Sequence, residues 1–270
     1  MTLDEREALV RVKIGRASRH ITELKSEVES FLGTRPYEVA TKRNSQTHQL
    51  IYYLASVADV PSNISATAGD ALQCLRTALD YLAYQLVLVG TGTSGPFDHV
   101  YFPIADSAAI YDATKGARTK GMRAAAVGAI DATHPYKGGN DVLWHIHKLN
   151  NVDKHRLLIT VGSAFRSVDL GGYMLRAMRR ELADRPELAD LAHVELPAFF
   201  RPADRMFPLA AGAELFIDGP DAEADPEMEF RFEVAFGEPG IVEGEPLQET
   251  LTTMAETVEN LVTTFRPLLA

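Results

Sequence analysis

Between residues 64 and 86 the apolar side chains return at helical intervals: Ile64, Ala68, Ala71, Leu72, Leu75, Ala78, Leu79, Leu82 and Leu86. Steps of three and four residues put them on one stripe of a 3.6-residue helix. A stripe of that length must be covered by other elements, so the chain is expected to build its core around a helix over residues 63–89. Ser62 or Asn63 suits its start as a cap, and Gly90, Gly92 and Gly95 end it. A second strong helix is read over residues 140–161, with Asn140 as its cap. Leu9, Ile14, Ile21, Leu24, Val28 and Phe31 form a looser stripe that predicts a helix over 3–32, stopped by Gly33. Shorter helices are expected after Ser107, over 122–132 and over 173–183. A final amphipathic helix runs from Pro246 through Leu247, Leu251, Met254, Val258, Leu261 and Phe265.

Period-two segments are fewer. Residues 37–42 and 49–57 read as a β-hairpin across the polar turn at 43–47, and the apolar run at 100–104 reads as a short strand. Beyond Pro186 strands are expected at 194–201, 213–218 and 228–236. In the last, Met228, Phe230, Phe232, Val234 and Phe236 alternate with Glu229, Arg231, Glu233 and Ala235, the pattern of a sheet with one face buried and one wet. Strands and helices are segregated more than alternated. The expected fold class is therefore α+β: a helical core with a long amphipathic helix pair, plus an antiparallel β-sheet and a C-terminal helix. The natural division is a mainly helical domain with an N-terminal hairpin over 1–189 and a sheet with the last helix over 190–270, or one continuous domain embracing both.

Composition narrows the function classes. Residues 1–185 hold 23 Lys+Arg against 19 Asp+Glu, whereas residues 186–270 hold 4 against 18. The acidic last third repels phosphate chains, so a nucleic-acid surface would have to lie on the first two thirds, for example near Arg176, Arg179, Arg180 and Arg185. The single cysteine, Cys74, excludes an internal disulfide and reads as a buried small hydrophobe in a reducing compartment. The opening MTLDEREALVRVKIG has no apolar run of signal-peptide length, and no stretch is apolar enough to span a bilayer. A cytoplasmic protein with no membrane partner is expected.

The polar residues on the two strong helices are the candidates for chemistry. On a helical wheel of 140–161, Val142, Leu143, Ile146, Leu149 and Leu157 define the apolar face. Asn150 and Asp153 fall within it, His147 and Lys154 flank it, and His155 points elsewhere. An aspartate among aliphatic residues needs a partner or a proton. Arg76, at the margin of the other helix, is the expected partner of Asp153, with Lys154 and Asp80 completing an ion network between the helices. Arg76, Asp80, Asp153, Lys154 and His155 are the candidate catalytic residues, and Asn150, His147 and Tyr84 the candidate binding residues. No cofactor is implied. No metal is expected either: His145 and His147 stand apart on a helix, and there is no HExxH, CxxC or multi-carboxylate motif. The glycines at 90, 92 and 95 follow a helix where a phosphate cradle would open one.

Several of these segments resemble a family of uncharacterised bacterial proteins. They are Gly69-Asp70-Ala71-Leu72, Leu75-Arg76-x-Ala78-Leu79-Asp80-x-Leu82-Ala83-Tyr84-Gln85-Leu86, Phe102-Pro103-Ile104, and Leu149-Asn150-Asn151-Val152-Asp153-Lys154-His155-Arg156-Leu157-Leu158. The resemblance covers much of the chain and implies a shared fold without an activity. A looser resemblance is to HEPN-like helical domains, some of which are ribonucleases that use an Arg and, four to six residues on, a His of one helix. Here Arg76 is followed after four residues by Tyr81. That resemblance implies metal-independent RNA cleavage between helices 63–89 and 140–161. The leading expectation is a non-catalytic binding or interaction protein with a buried ion network between two helices; the ribonuclease is the alternative. A homodimer is one open partner, and nucleic acid enters only with the alternative.

Overall fold

A computed structural model describes residues 1–93, 95, 97–155, 158–182, 198–200 and 206–270. In chain order these form α1 (Leu3–Gly33), β1 (Tyr37–Arg43), β2 (Leu50–Val57), α2 (Ser62–Thr91), α3 (Ala108–Arg118), α4 (Ala124–Ala132) and α5 (Asp141–His155). There follow β3 (Val161–Asp169), α6 (Leu170–Leu182), β4 (Phe199–Phe200), β5 (Glu214–Ile217), β6 (Phe230–Phe236), α7 (Leu247–Phe265) and a closing 3-10 turn, Arg266–Leu269. The fold is α+β. The chain makes two compact units by interleaving: Met1–Val28, Pro61–Thr160 and Glu238–Ala270 form a helical unit, and Glu29–Val60 with Val161–Gly237 a sheet unit. The expected boundary near residue 189 lies outside the described residues. Within them, the hairpin belongs with the sheets and the last helix with the helices.

In the helical unit α2 is the axis, packed against α5 and α7, which also touch each other. Its apolar stripe is buried from Ile64 to Leu86, and Ser65, Thr67, Arg76 and Gln85 are buried as well, so the helix is enclosed nearly all round. Leu143, Ile146 and Leu149 of α5, and Leu251, Met254, Val258 and Phe265 of α7, close over it. Val10, Ile14, Ala17 and Leu24 give α1 its inward stripe. Arg6 Nη1 donates to Gln85 Oε1 at 3.1 Å, and Arg266 reaches Glu7 at 2.6 Å and Asp4 at 2.7 Å. α2 ends where Gly92 turns left-handed (φ 65°) and its N–H caps the Leu88 carbonyl.

The sheet unit holds two antiparallel three-stranded sheets, ordered β1-β2-β5 and β4-β3-β6. One contiguous sheet of the last third was expected, but the hairpin recruits β5 into the first sheet and β3 forms the middle of the second. Leu54, Phe165, Val168, Leu209 and Leu215 make the core. The alternation in β6 holds only in its first half: Ala235 and Phe236 are both fully buried.

Two expected elements are different in the structure. The helix read over 140–161 is described to His155 and has ended by Leu158, and Val161 already belongs to β3. The strand read at 100–104 is extended chain with only an isolated parallel bridge from Ala105 to Tyr136. Its backbone is satisfied by side chains: Phe102 N–H donates to Asp80 Oδ1 (3.0 Å), and Phe102 O accepts from Arg76 Nη2 (2.8 Å).

Candidate functional site

Arg76 and Asp80 are one turn apart on α2, so their side chains share a face. Arg76 Nη2 donates to Asp80 Oδ1 at 2.7 Å. Arg76 is only 6% exposed, and its other terminal nitrogen, Nη1, is buried without a hydrogen bond among the described residues. Burial pushes the Arg76 pKa down while Asp80 opposes it. Burial also pushes the Asp80 carboxyl up, against Arg76, the Phe102 N–H, Lys154 and Arg118. The pair and the Phe102 peptide form a clamp that holds the segment before α3 against α2.

This clamp is one wall of a cavity of about 520 Å³. The segment Tyr101, Phe102, Pro103, Ile104, Ala105 and Asp106 supplies a second wall, Ile110, Thr114 and Arg118 of α3 a third, and His147, Asn150, Asn151 and Lys154 of α5 the fourth. Asn150 is buried, and its Oδ1 makes no hydrogen bond among the described residues. His147 Nε2 lies 3.2 Å from Asn151 Nδ2, and accepts from it in this amide orientation; its buried Nδ1 then carries the proton and has no partner. Burial first, then the charges of Arg76 and Lys148, bring the His147 pKa down to about 4, so the ring is neutral at physiological pH.

The charges sort by depth. Arg76 and Asp80 neutralise each other in the interior. Asp106 is held below the usual carboxylate range by Lys148, 2.8 Å away, and by the Trp144 indole N–H, also at 2.8 Å. That leaves Arg118, half-exposed with its guanidinium 5.2 Å from the Tyr101 ring centre, and exposed Lys154. Neither has an ion-pair partner among the described residues, so the rim is cationic in a chain of net charge −10.

The expected Arg76–Asp153 pair does not form. α2 and α5 run antiparallel: Asp153, near the end of α5, packs on Gly69, while Asn150 and His147, earlier on α5, share the cavity with Arg76 and Asp80. Gly69 and Arg76 are seven residues apart, about 10 Å along a helix, so one helix register cannot serve both contacts. Asp153 has no cationic partner among the described residues; its neighbour across the interface is Asp70. Burial foremost, and then Asp70, raise its pKa, with Lys154 offsetting part of the shift. A carboxyl with a folded pKa above its unfolded value, about 3.9, binds more protons in the folded state, so stability falls as pH rises through that window. Asp153→Asn is expected to raise the melting temperature at pH 7, by less than about 1 kcal/mol of stability for this partly exposed site, and the gain should shrink as the pH falls through the folded pKa and vanish below the unfolded value. A lower melting temperature at pH 7 would reveal a favourable partner that the packing does not provide.

Of the other candidates, Arg76, Asp80, Lys154, Asn150 and His147 come together around the cavity. Tyr84 does not line it; its ring packs against Phe97, 5.9 Å between centres. The side chain of His155 lies outside the described residues, as do Arg185 and the side chain of Arg180. Arg118, Tyr101 and Asp106 were not singled out from the sequence, because α3 and the segment before it carry little periodicity; the Phe102-Pro103-Ile104 run was the available signal. Among the described residues no group of His, Cys, Asp and Glu is arranged to hold a metal ion, and no helix is long and apolar enough to cross a membrane. No protein-family model matches the chain, no curated protein matches it, and no solved structure matches it.

Proposed function

We propose that the helical unit is a non-catalytic binding module of the cytoplasm whose cavity between α2 and α5 takes a small anionic molecule. The observation that carries this reading is the coincidence in one cavity of two cations, Arg118 and Lys154, with buried polar atoms, Arg76 Nη1 and Asn150 Oδ1, the former without ion-pair partners and the latter without hydrogen bonds among the described residues. A buried polar group left unsatisfied costs about 1–3 kcal/mol, and a ligand that meets it recovers that cost on binding. Its volume falls within the range of about 300–1,000 Å³ usual for small-molecule sites. The non-catalytic assignment rests on the groups themselves. Asp80 Oδ1 already accepts from Arg76 and Phe102, and His147 is neutral with its Nε2 lone pair engaged by Asn151, so it is neither an imidazolium acid nor an open base at neutral pH.

Calorimetric titration of the full chain with inorganic phosphate and small phosphate or carboxylate esters tests the reading. Binding that weakens with added salt and drops about tenfold in Arg118→Gln supports it; no heat from any anion removes it. The second reading, an HEPN-like metal-independent ribonuclease, is favoured by one observation: Arg76 and His147 line the same cavity. The residue at the family's histidine position, Tyr81, stands outside that cavity and is 42% exposed. Incubation with total RNA separates the two. RNA left intact keeps the binding module, and cleavage abolished by Arg76→Ala replaces it with the enzyme.

A further inference from the structure

The cavity is not built for a bare anion. Its interior is electrically balanced, because Asp80 cancels Arg76, yet two side chains that line it each keep a buried polar atom without a partner among the described residues, the donor Arg76 Nη1 and the acceptor Asn150 Oδ1. A balanced floor with mixed donor and acceptor atoms suits a neutral polar group that has both, and repays an ion little for its lost hydration. Two of the walls carry apolar side chains, Phe102, Pro103 and Ile104 on one and Ile110 on the other. Flat apolar faces with a hydrogen-bonding edge are the property of an aromatic heterocycle, and an open Arg N–H group and an open Asn oxygen, as here, can meet an acceptor and a donor on a nucleobase edge. At the rim the charge changes to Arg118 and Lys154, beside exposed Thr114, whose hydroxyl donates to the Ile110 carbonyl. A phosphate there gains two cations without having to be buried.

Resting on the reading of the cavity as an anion-binding site, we propose that its ligand is a free nucleotide, seated with the nucleobase edge on Arg76 and Asn150 and the phosphate at Arg118 and Lys154. The order of parts follows the burial gradient: Arg76 and Asn150 are 6% and 3% exposed, while Lys154 is on the surface.

The test titrates the full chain with the four common nucleoside 5′-monophosphates, their nucleosides, ribose 5-phosphate and a short single-stranded RNA. At least one monophosphate should bind about tenfold or more tighter than both ribose 5-phosphate and its own nucleoside. The rim variant Arg118→Gln/Lys154→Gln, at exposed and half-exposed positions that leave the core intact, should bring that monophosphate down to the affinity of its nucleoside and leave nucleoside binding unchanged. Ribose 5-phosphate binding as tightly as every monophosphate would overturn the nucleotide assignment and leave the anion site standing. Binding of the RNA with none of the monophosphates would overturn it in favour of a polymer. No binding by any of these phosphates, nor by inorganic phosphate, would remove the anion site and this assignment together.

Discussion

Asp80→Ala is expected to destabilise the helical unit by about 3–5 kcal/mol, seen as an earlier urea midpoint with Trp144 fluorescence as the probe. Trp144 is the single tryptophan and is buried in that unit, so it reports on it directly. The substitution leaves the Arg76 guanidinium, 6% exposed, without its counter-charge and the Phe102 N–H without its acceptor. The Asp80 side chain is 24% exposed, so solvent softens the loss toward the lower end of the range. The cost comes from the partner left behind rather than from the strength of the pair. Arg76→Met/Asp80→Leu, which removes both charges, should therefore recover most of what the single substitution loses. A loss below about 1 kcal/mol in Asp80→Ala would mean that the guanidinium finds water easily, and that the clamp on the segment before α3 is weak.

Phe165→Ala should cost the sheet unit about 3–5 kcal/mol, measured as a lowered calorimetric transition. Phe165 is fully buried in the middle strand of its sheet, with ring centres 6.2 Å from Phe230 and 6.0 Å from Phe232, and shares the core with Leu54, Val168, Leu209 and Leu215. Removing the ring takes away the contact joining β3 to β6 side chains and leaves a cavity that a paired central strand cannot collapse into. Phe165→Leu, which keeps part of the volume, should lose less. A cost near zero would place this side chain at the surface and contradict β3 as the centre of its sheet.

That strand was the least legible part of the chain. β3 pairs with β6 along most of its length and with β4 at Val168 and Asp169, and Ser163, Ala164 and Phe165 are buried in succession, so it shows little of the alternation that betrays a half-exposed strand. Only its first residue, Val161, was read at all, as the end of the helix over 140–161. The hairpin, by contrast, was legible because its turn residues and apolar run are local. The candidate site was half legible. A helical wheel places Asn150 and Asp153 on the same inward face with equal weight, yet Asn150 lines the cavity and Asp153 packs on Gly69. No wheel contains the sliding of one helix along another that makes the difference.

Taken alone, the amino-acid order determined where the chain is helical and which stripe of each long helix turns inward, because these follow from spacings within a few turns. It also determined that Arg76 and Asp80 share a face, since four residues along a helix bring them together without help from the rest of the chain. The tertiary structure decided what those groups meet. The antiparallel register of α2 and α5 placed Arg76 with Asn150 and His147 instead of Asp153, and the return of the Phe102 segment onto the clamp closed the cavity. Contacts between residues so distant in sequence depend on how whole elements are packed, which no local pattern specifies.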